Sequence, residues 1–126
     1  MIGVAGFEGA LSEWMQRTGA AAYAVIDGDG RILAGSLPAG VRPEFFGVMG
    51  ATMFGAASAA SAELGAPIPT CVDVAMDGRR LVVVPFGAGA VLCAVVADSA
   101  TPTSVVEAAS RFGPRGDGGR SLRLPA

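Results

Sequence analysis

The stretch FFGVMGATMFGAASAASA, residues 45–62, runs without a charged side chain. Pro43 ahead of it suits the first turn of a helix, and Gly65, Pro67 and Pro69 beyond it suit the end. A long helix from Pro43 to Leu64 is expected. A helix on the surface of a small domain keeps a polar side for water, yet this one offers only Thr52, Ser58 and Ser61. At roughly a hundred degrees per residue, Phe46, Met49, Met53, Ala57, Ala60 and Leu64 gather on one side and are expected to face a sheet. Opposite them run Gly47, Ala51, Gly55 and Ala59, a ridge of small residues flanked by Phe54 and Ser58. Small ridges let two helix backbones approach closely, so the second side is expected to meet a twin or a partner protein. A membrane span fits less well: the stretch is barely long enough, and Ala, Gly and Ser contribute little to insertion. No transmembrane segment is expected.

Outward from this helix the pattern is of strands and short helices. FEGALSEWMQRT, residues 7–18, places Phe7, Ala10, Leu11, Trp14 and Met15 at helical spacing, with Gly19 to end it. AAYAVID and RILAGSL are apolar runs joined by DGDG, Asp27 to Gly30, which is hairpin chemistry. CVDVAM, Cys71 to Met76, alternates, with Val72, Val74 and Met76 on one side and Cys71, Asp73 and Ala75 on the other. Asp77-Gly78 turns the chain into RLVVVPF, and GAG leads on to AVLCAVVAD. These last two strands are apolar at consecutive positions, so both of their faces are expected to be covered. Ser104 and Glu107 have the spacing of a capping box that opens a final helix, SVVEAASRF, stopped by Gly113 and Pro114. The order is α-β-β-α-β-β-β-α, and short turns within each strand group imply antiparallel pairing.

The 126 residues suffice for one domain with a core. With 52% hydrophobic and 16% charged residues, a small domain leaves apolar surface to be buried in a partner. Arg supplies every basic residue, and there is no His, so the usual general base and the commonest metal ligand are missing. Arg111, Arg115, Arg120 and Arg123 crowd the last stretch against Asp117 alone, which leaves the body more acidic than the net −2. An acidic body argues against nucleic-acid binding. Residues 113–126 read as a flexible Arg/Gly-rich tail after a domain of residues 1–112. The start of the chain lacks the pattern of a signal peptide, and two cysteines inside apolar runs make no disulfide framework, so a reduced cytoplasmic protein is expected.

Chemistry is sparse. DGDG begins like a calcium loop, but its twelfth position is Pro38 rather than Glu. GAG lies between strands, not between a strand and a helix where a phosphate cradle forms. Cys71 and Cys93 have no His to activate them, and the acids mostly mark turns and strand ends. No catalytic residue, metal or cofactor is expected, and the protein is not expected to be an enzyme.

The helix ending RTGA, the run AAYAVIDGDGRILAGSL, the Ala/Gly-rich helix from Pro43 to Leu64 and RLVVVPFGAGAVLCAVVAD together resemble the Roadblock family of small dynein-light-chain-like proteins, over residues 7–112. In prokaryotes these accompany Ras-like GTPases. The resemblance implies an α+β fold: a five-stranded antiparallel sheet with the long helix on one face and two shorter helices on the other. It implies a homodimer built by pairing the third strands edge to edge and packing the long helices side by side. The interface would then be Cys71, Val72, Asp73, Val74, Ala75 and Met76, with Gly47, Ala51, Gly55 and Ala59 from the helix. A small Ras-like GTPase would dock on Phe45, Val48, Thr52, Phe54, Gly55 and Ser58. The Met-rich, Gly-interrupted helix and the Arg/Gly tail depart from the family pattern. The alternative is a small-ligand sensor or scaffold domain of profilin-like or longin-like fold, which needs polar groups in a concave pocket.

Overall fold

Two consecutive apolar runs, Val82–Val84 and Ala90–Ala94, are buried on both faces and form the middle of the molecule. The computed structural model describes residues 4–97 and 102–112. The tail of residues 113–126 and the expected stop at Gly113 and Pro114 lie outside the described residues. The elements are α1 (Val4–Thr18), β1 (Ala22–Asp27), β2 (Ile32–Ser36), α2 (Pro43–Glu63), β3 (Val72–Met76), β4 (Arg79–Pro85), β5 (Ala90–Ala97) and α3 (Pro102–Phe112). All pairings are antiparallel, and the strand order is β2-β1-β5-β4-β3. β2 and β3 are therefore the two edges.

Side chains alternate across this sheet, and each face has its own core. Tyr23, Val25, Val82, Val84, Leu92, Ala94 and Val96 join Leu11 and Trp14 of α1 and Val105 and Ala109 of α3. Ala24, Ile26, Val83, Val91 and Cys93 face the other way, where Phe46, Ala51, Met53 and Phe54 of α2 pack on them. The layers are α2, sheet, then α1 with α3, as the fold expectation had it. α3 begins at Pro102, so Ser104 lies inside its first turn rather than at the cap. The capping-box expectation placed the start two residues late because Pro at the head of a helix is itself a start signal. β3 begins at Val72, one residue after the expected Cys71.

The β1–β2 turn closes on Asp27, whose buried carboxylate accepts hydrogen bonds from the backbone N–H groups of Asp29 and Arg31, both at 2.9 Å. This turn carries α2. A Cβ on Gly47 would collide with the Gly30 carbonyl oxygen, and one on Gly30, at φ +87°, would come within 2.8 Å of the Val48 Cα. One turn on, a Cβ on Gly50 would meet the Cys93 Sγ and Ile26 Cδ1, each at 2.8 Å. The helix thus approaches the sheet at its glycines, and its phase follows from that closeness.

The observed phase corrects the expected one. Phe46, Met53 and Ala57 lie toward the sheet as expected, but Met49, Ala60 and Leu64 are exposed, Leu64 by 83%. Gly47, expected on the outer ridge, is buried against Gly30, while Ala51 and Phe54 are half-buried in the sheet-side core. Gly55 and Ala59 remain outside. Both sides of α2 are apolar, so hydropathy cannot choose between them; close approach does, by admitting only glycine.

Two substitutions of opposite sign check this seating. Gly47→Ala is expected to cost about 1–3 kcal/mol, because backbone rather than a pliable side chain blocks the new methyl. Gly55→Ala meets nothing within 4 Å and is expected to gain up to about 1 kcal/mol from helix propensity. Urea denaturation of the two variants beside the parent reads both.

Candidate functional site

Residues 45, 48, 49, 52, 55, 56, 59 and 60 recur at helical spacing and are all exposed. They make the outer face of α2. Phe45 is 52% exposed, and Val48 and Met49 are nearly as open, with Val41 just ahead of the helix. Thr52, a polar side chain among them, donates its hydroxyl to the Val48 carbonyl at 2.7 Å and so offers its hydrogen to its own helix. Arg42 lies over the Phe45 ring at 4.5 Å, a cation held on an aromatic face at the head of the helix. With 21 residues and a mean hydropathy of 1.3 over an 18-residue window, α2 is long and apolar enough to cross a membrane by length and composition alone. Gly47 and Gly50 are instead fitted against Gly30, Ile26 and Cys93, a seating that lipid does not provide.

The outer face has two halves. Gly47 sits over the β1–β2 turn and Gly50 over Ile26 and Cys93 of β1 and β5, so the later turns of α2 run on over β4 and β3. The bulky residues Phe45, Val48 and Met49 therefore stand toward the β2 side. The smooth half of Gly55, Ala56, Ala59 and Ala60 stands toward β3.

β3 is the edge beside that smooth half. Its register on β4 is unbroken from Val72 opposite Val83 to Met76 opposite Arg79, and it contains no Pro and no Lys. β2, the other edge, is interrupted by a register shift at Val25/Ile26 and is followed by Pro38. Bulges and prolines are the usual protection of an edge; β2 is bulged, and β3 contains neither a bulge nor a proline. The one charge on β3, Asp73, is held by Arg80 at 2.7 Å on the same subunit.

The structure thus brings Val72 to Met76 to a free edge, with Cys71 just ahead of it, and leaves Phe45, Val48, Thr52, Gly55 and Ala59 exposed on the outer face of α2. It removes Gly47 from that surface and turns Ala51 and Phe54 largely inward, with Ser58 half-buried. Residue reasoning missed Met49, Ala56 and Ala60 on the outer face. The signal was present in the glycines at 47 and 50, three apart, which mark a close approach by the spacing of one helix face.

Chemical groups are few. Among the described residues, no three of His, Cys, Asp and Glu gather as a metal-ligating set. A shallow open cleft of about 220 Å³ lies between Gly28, Asp29 and Gly30 of the turn and Val48, Ala51 and Thr52 of α2. Burial pushes the Cys93 thiol from 9.0 up to about 12, so it stays protonated at neutral pH.

The Roadblock/LC7 domain family matches residues 7–97. No curated protein is matched by sequence. Solved structures share the fold. An MglB with a tetrameric arrangement superposes with a TM-score of 0.74 at 22% identity, covering 89% of this chain and 87% of that one. MglB of Myxococcus xanthus gives 0.74 at 10% identity, over 82% and 89% of the two chains. The gliding protein MglB of Thermus thermophilus gives 0.67 at 21% identity, over 90% and 93%.

The cysteines provide a check on this geometry. At pH 8 iodoacetamide is expected to modify half-buried Cys71 and to leave Cys93 untouched until urea is added, read as added mass on the intact chain. The raised thiol also stabilises the fold fully below pH 9. That contribution is lost as pH rises from 9 toward 12, where the unfolded chain ionises first.

Proposed function

Because the chain belongs to the Roadblock/LC7 domain family, we propose that it is a non-enzymatic homodimeric adaptor that binds and regulates a small Ras-like GTPase in the cytoplasm. The observation that carries this reading is one continuous surface, made of the apolar outer face of α2 and the unprotected edge of β3. Apolar surface of this kind marks protein contact.

The two halves of α2 divide the work. The smooth half lies beside β3, so joining two β3 edges sets Gly55, Ala56, Ala59 and Ala60 near their copies, where small side chains allow close helix packing. A strand of five residues offers only a handful of cross-edge hydrogen bonds at about 1 kcal/mol each. A micromolar complex needs about 8 kcal/mol, so helix burial supplies the difference. The bulky half, with Arg42 stacked on Phe45, then remains open for the GTPase. A large apolar residue and an arginine fit the composition of binding hot spots. With no histidine in the chain and, among the described residues, no activated cysteine, any effect on hydrolysis would come from ordering a switch loop and placing the attacking water. A ligand-sensing role has less support, since Ala24, Ile26, Val83, Val91 and Cys93 fill the space between sheet and α2.

The tagged protein is expected to capture a Ras-like GTPase from its host in parallel pull-downs with GDP and with a non-hydrolysable GTP analogue. Enrichment in one nucleotide state would support regulation, equal enrichment a scaffold, and no GTPase in either would sink the function. Gly55→Leu is expected to halve the mass by light scattering while leaving circular dichroism unchanged. Val48→Asp is expected to keep the dimer and weaken GTPase binding at least about tenfold, in line with loss of a hot-spot contact.

A further inference from the structure

We propose that the two β3 strands pair in one register, with Val74 opposite its own copy, Val72 opposite the second copy's Met76, and Asp73 opposite the second copy's Ala75. This rests on the homodimer reading above and deepens it.

Backbone direction comes first. β3 and β4 are joined by the two-residue turn Asp77-Gly78, with Gly78 at φ +74°, and Met76 faces Arg79. In such a hairpin the residues flanking the turn exchange both hydrogen bonds, and bonded pairs recur at every second position. Met76, Val74 and Val72 therefore spend their N–H and C=O groups on β4. Those of Asp73 and Ala75 point out of the edge. A two-fold antiparallel contact must join these outward groups to one another, which admits centres at 73, 74 or 75.

Charge and apolar matching decide among the three. A centre at Asp73 puts Asp73 directly opposite its own copy. A centre at Ala75 puts Asp73 opposite the second copy's Asp77, twice over. Like charges directly opposed across strands are destabilising, and Arg80 is already engaged with Asp73 within each subunit. The centre at Val74 opposes neither acid to another: Asp73 meets Ala75, and Asp77 meets Cys71. It also pairs every residue of β3, closes four backbone hydrogen bonds, and places Val72, Val74 and Met76 against their copies on the face that bears α2. Both α2 helices then lie on one side of a continuous sheet, as the smooth half of that helix requires.

Single cysteines on that face read the register while leaving Asp73 and Asp77 in place. In the full chain carrying Cys71→Ser, the variants Val72→Cys, Val74→Cys and Met76→Cys are made singly and co-expressed in pairs, then oxidised mildly. Directly opposite residues of this type of pair have Cα atoms about 4.5 Å apart, within disulfide reach, and a displacement by two residues takes them out of it. Val74→Cys alone, and the Val72→Cys with Met76→Cys pair, are expected to cross-link, whereas Val72→Cys or Met76→Cys alone does not. Cross-linking of Val72→Cys with Val74→Cys, or of Val74→Cys with Met76→Cys, in place of these would overturn the register while keeping the edge-paired dimer. No cross-link in any combination would overturn both, with light scattering separating a monomer from a dimer built on another surface.

Discussion

The contact between Gly30 and Gly47 sets the rest of the molecule in place. The β1–β2 turn, tied by Asp27, presents the Gly30 backbone to α2 at a distance that no side chain tolerates. Gly47 and Gly50 must therefore face the sheet. Once that phase is fixed, Phe45, Val48 and Met49 have nowhere to go but outward. The covered side excludes bulk only where Gly47 and Gly50 touch the sheet; Phe46, Met53 and Phe54 still pack on that side around them.

From that constraint the open surface follows. α2 crosses the sheet from the β1–β2 turn toward β3, so the later part of its outer face lies on the side of the free edge. The two sheet edges are treated differently: β2 is irregular and followed by Pro38, while β3 is regular and unguarded. A single chain gains nothing from such an edge, which invites pairing. In the proposed dimer a second copy would satisfy the outward groups of Asp73 and Ala75 and bring the small residues of two helices together, leaving the bulky half of each helix for the proposed GTPase.

Most of the architecture was legible in the residues. Turn chemistry at Asp27 to Gly30 and Asp77-Gly78 marked the hairpins, and unbroken apolar runs marked the two interior strands, because both signals are local. The exposed edge at β3 was legible too, since its neighbour in sequence is its one hairpin mate. The rotation of α2 was not. Periodicity finds a face only where one side is polar, and here both sides are apolar. Gly47 and Gly50 carried one half of the information; the other half was steric and held in the residues they meet, Gly30, Ile26 and Cys93, which lie outside the helix. Periodicity alone consequently puts Gly47 on the outer ridge and Met49 on the inner face. The open face of the helix is rotated by a fraction of a turn from the expected one, and Phe45, Val48, Thr52, Gly55 and Ala59 are exposed on it.

The most direct measurement is residue-resolved amide hydrogen exchange across β3 at high and low protein concentration, with the mass followed by sedimentation. Val72, Val74 and Met76 are bonded to β4 and serve as internal controls. If a second copy covers this edge, the amides of Asp73 and Ala75 are protected at high concentration and lose that protection on dilution, together with a fall to the mass of one chain. Exchange of Asp73 and Ala75 at the rate of free amides at every concentration would contradict the paired edge and the assembly built on it.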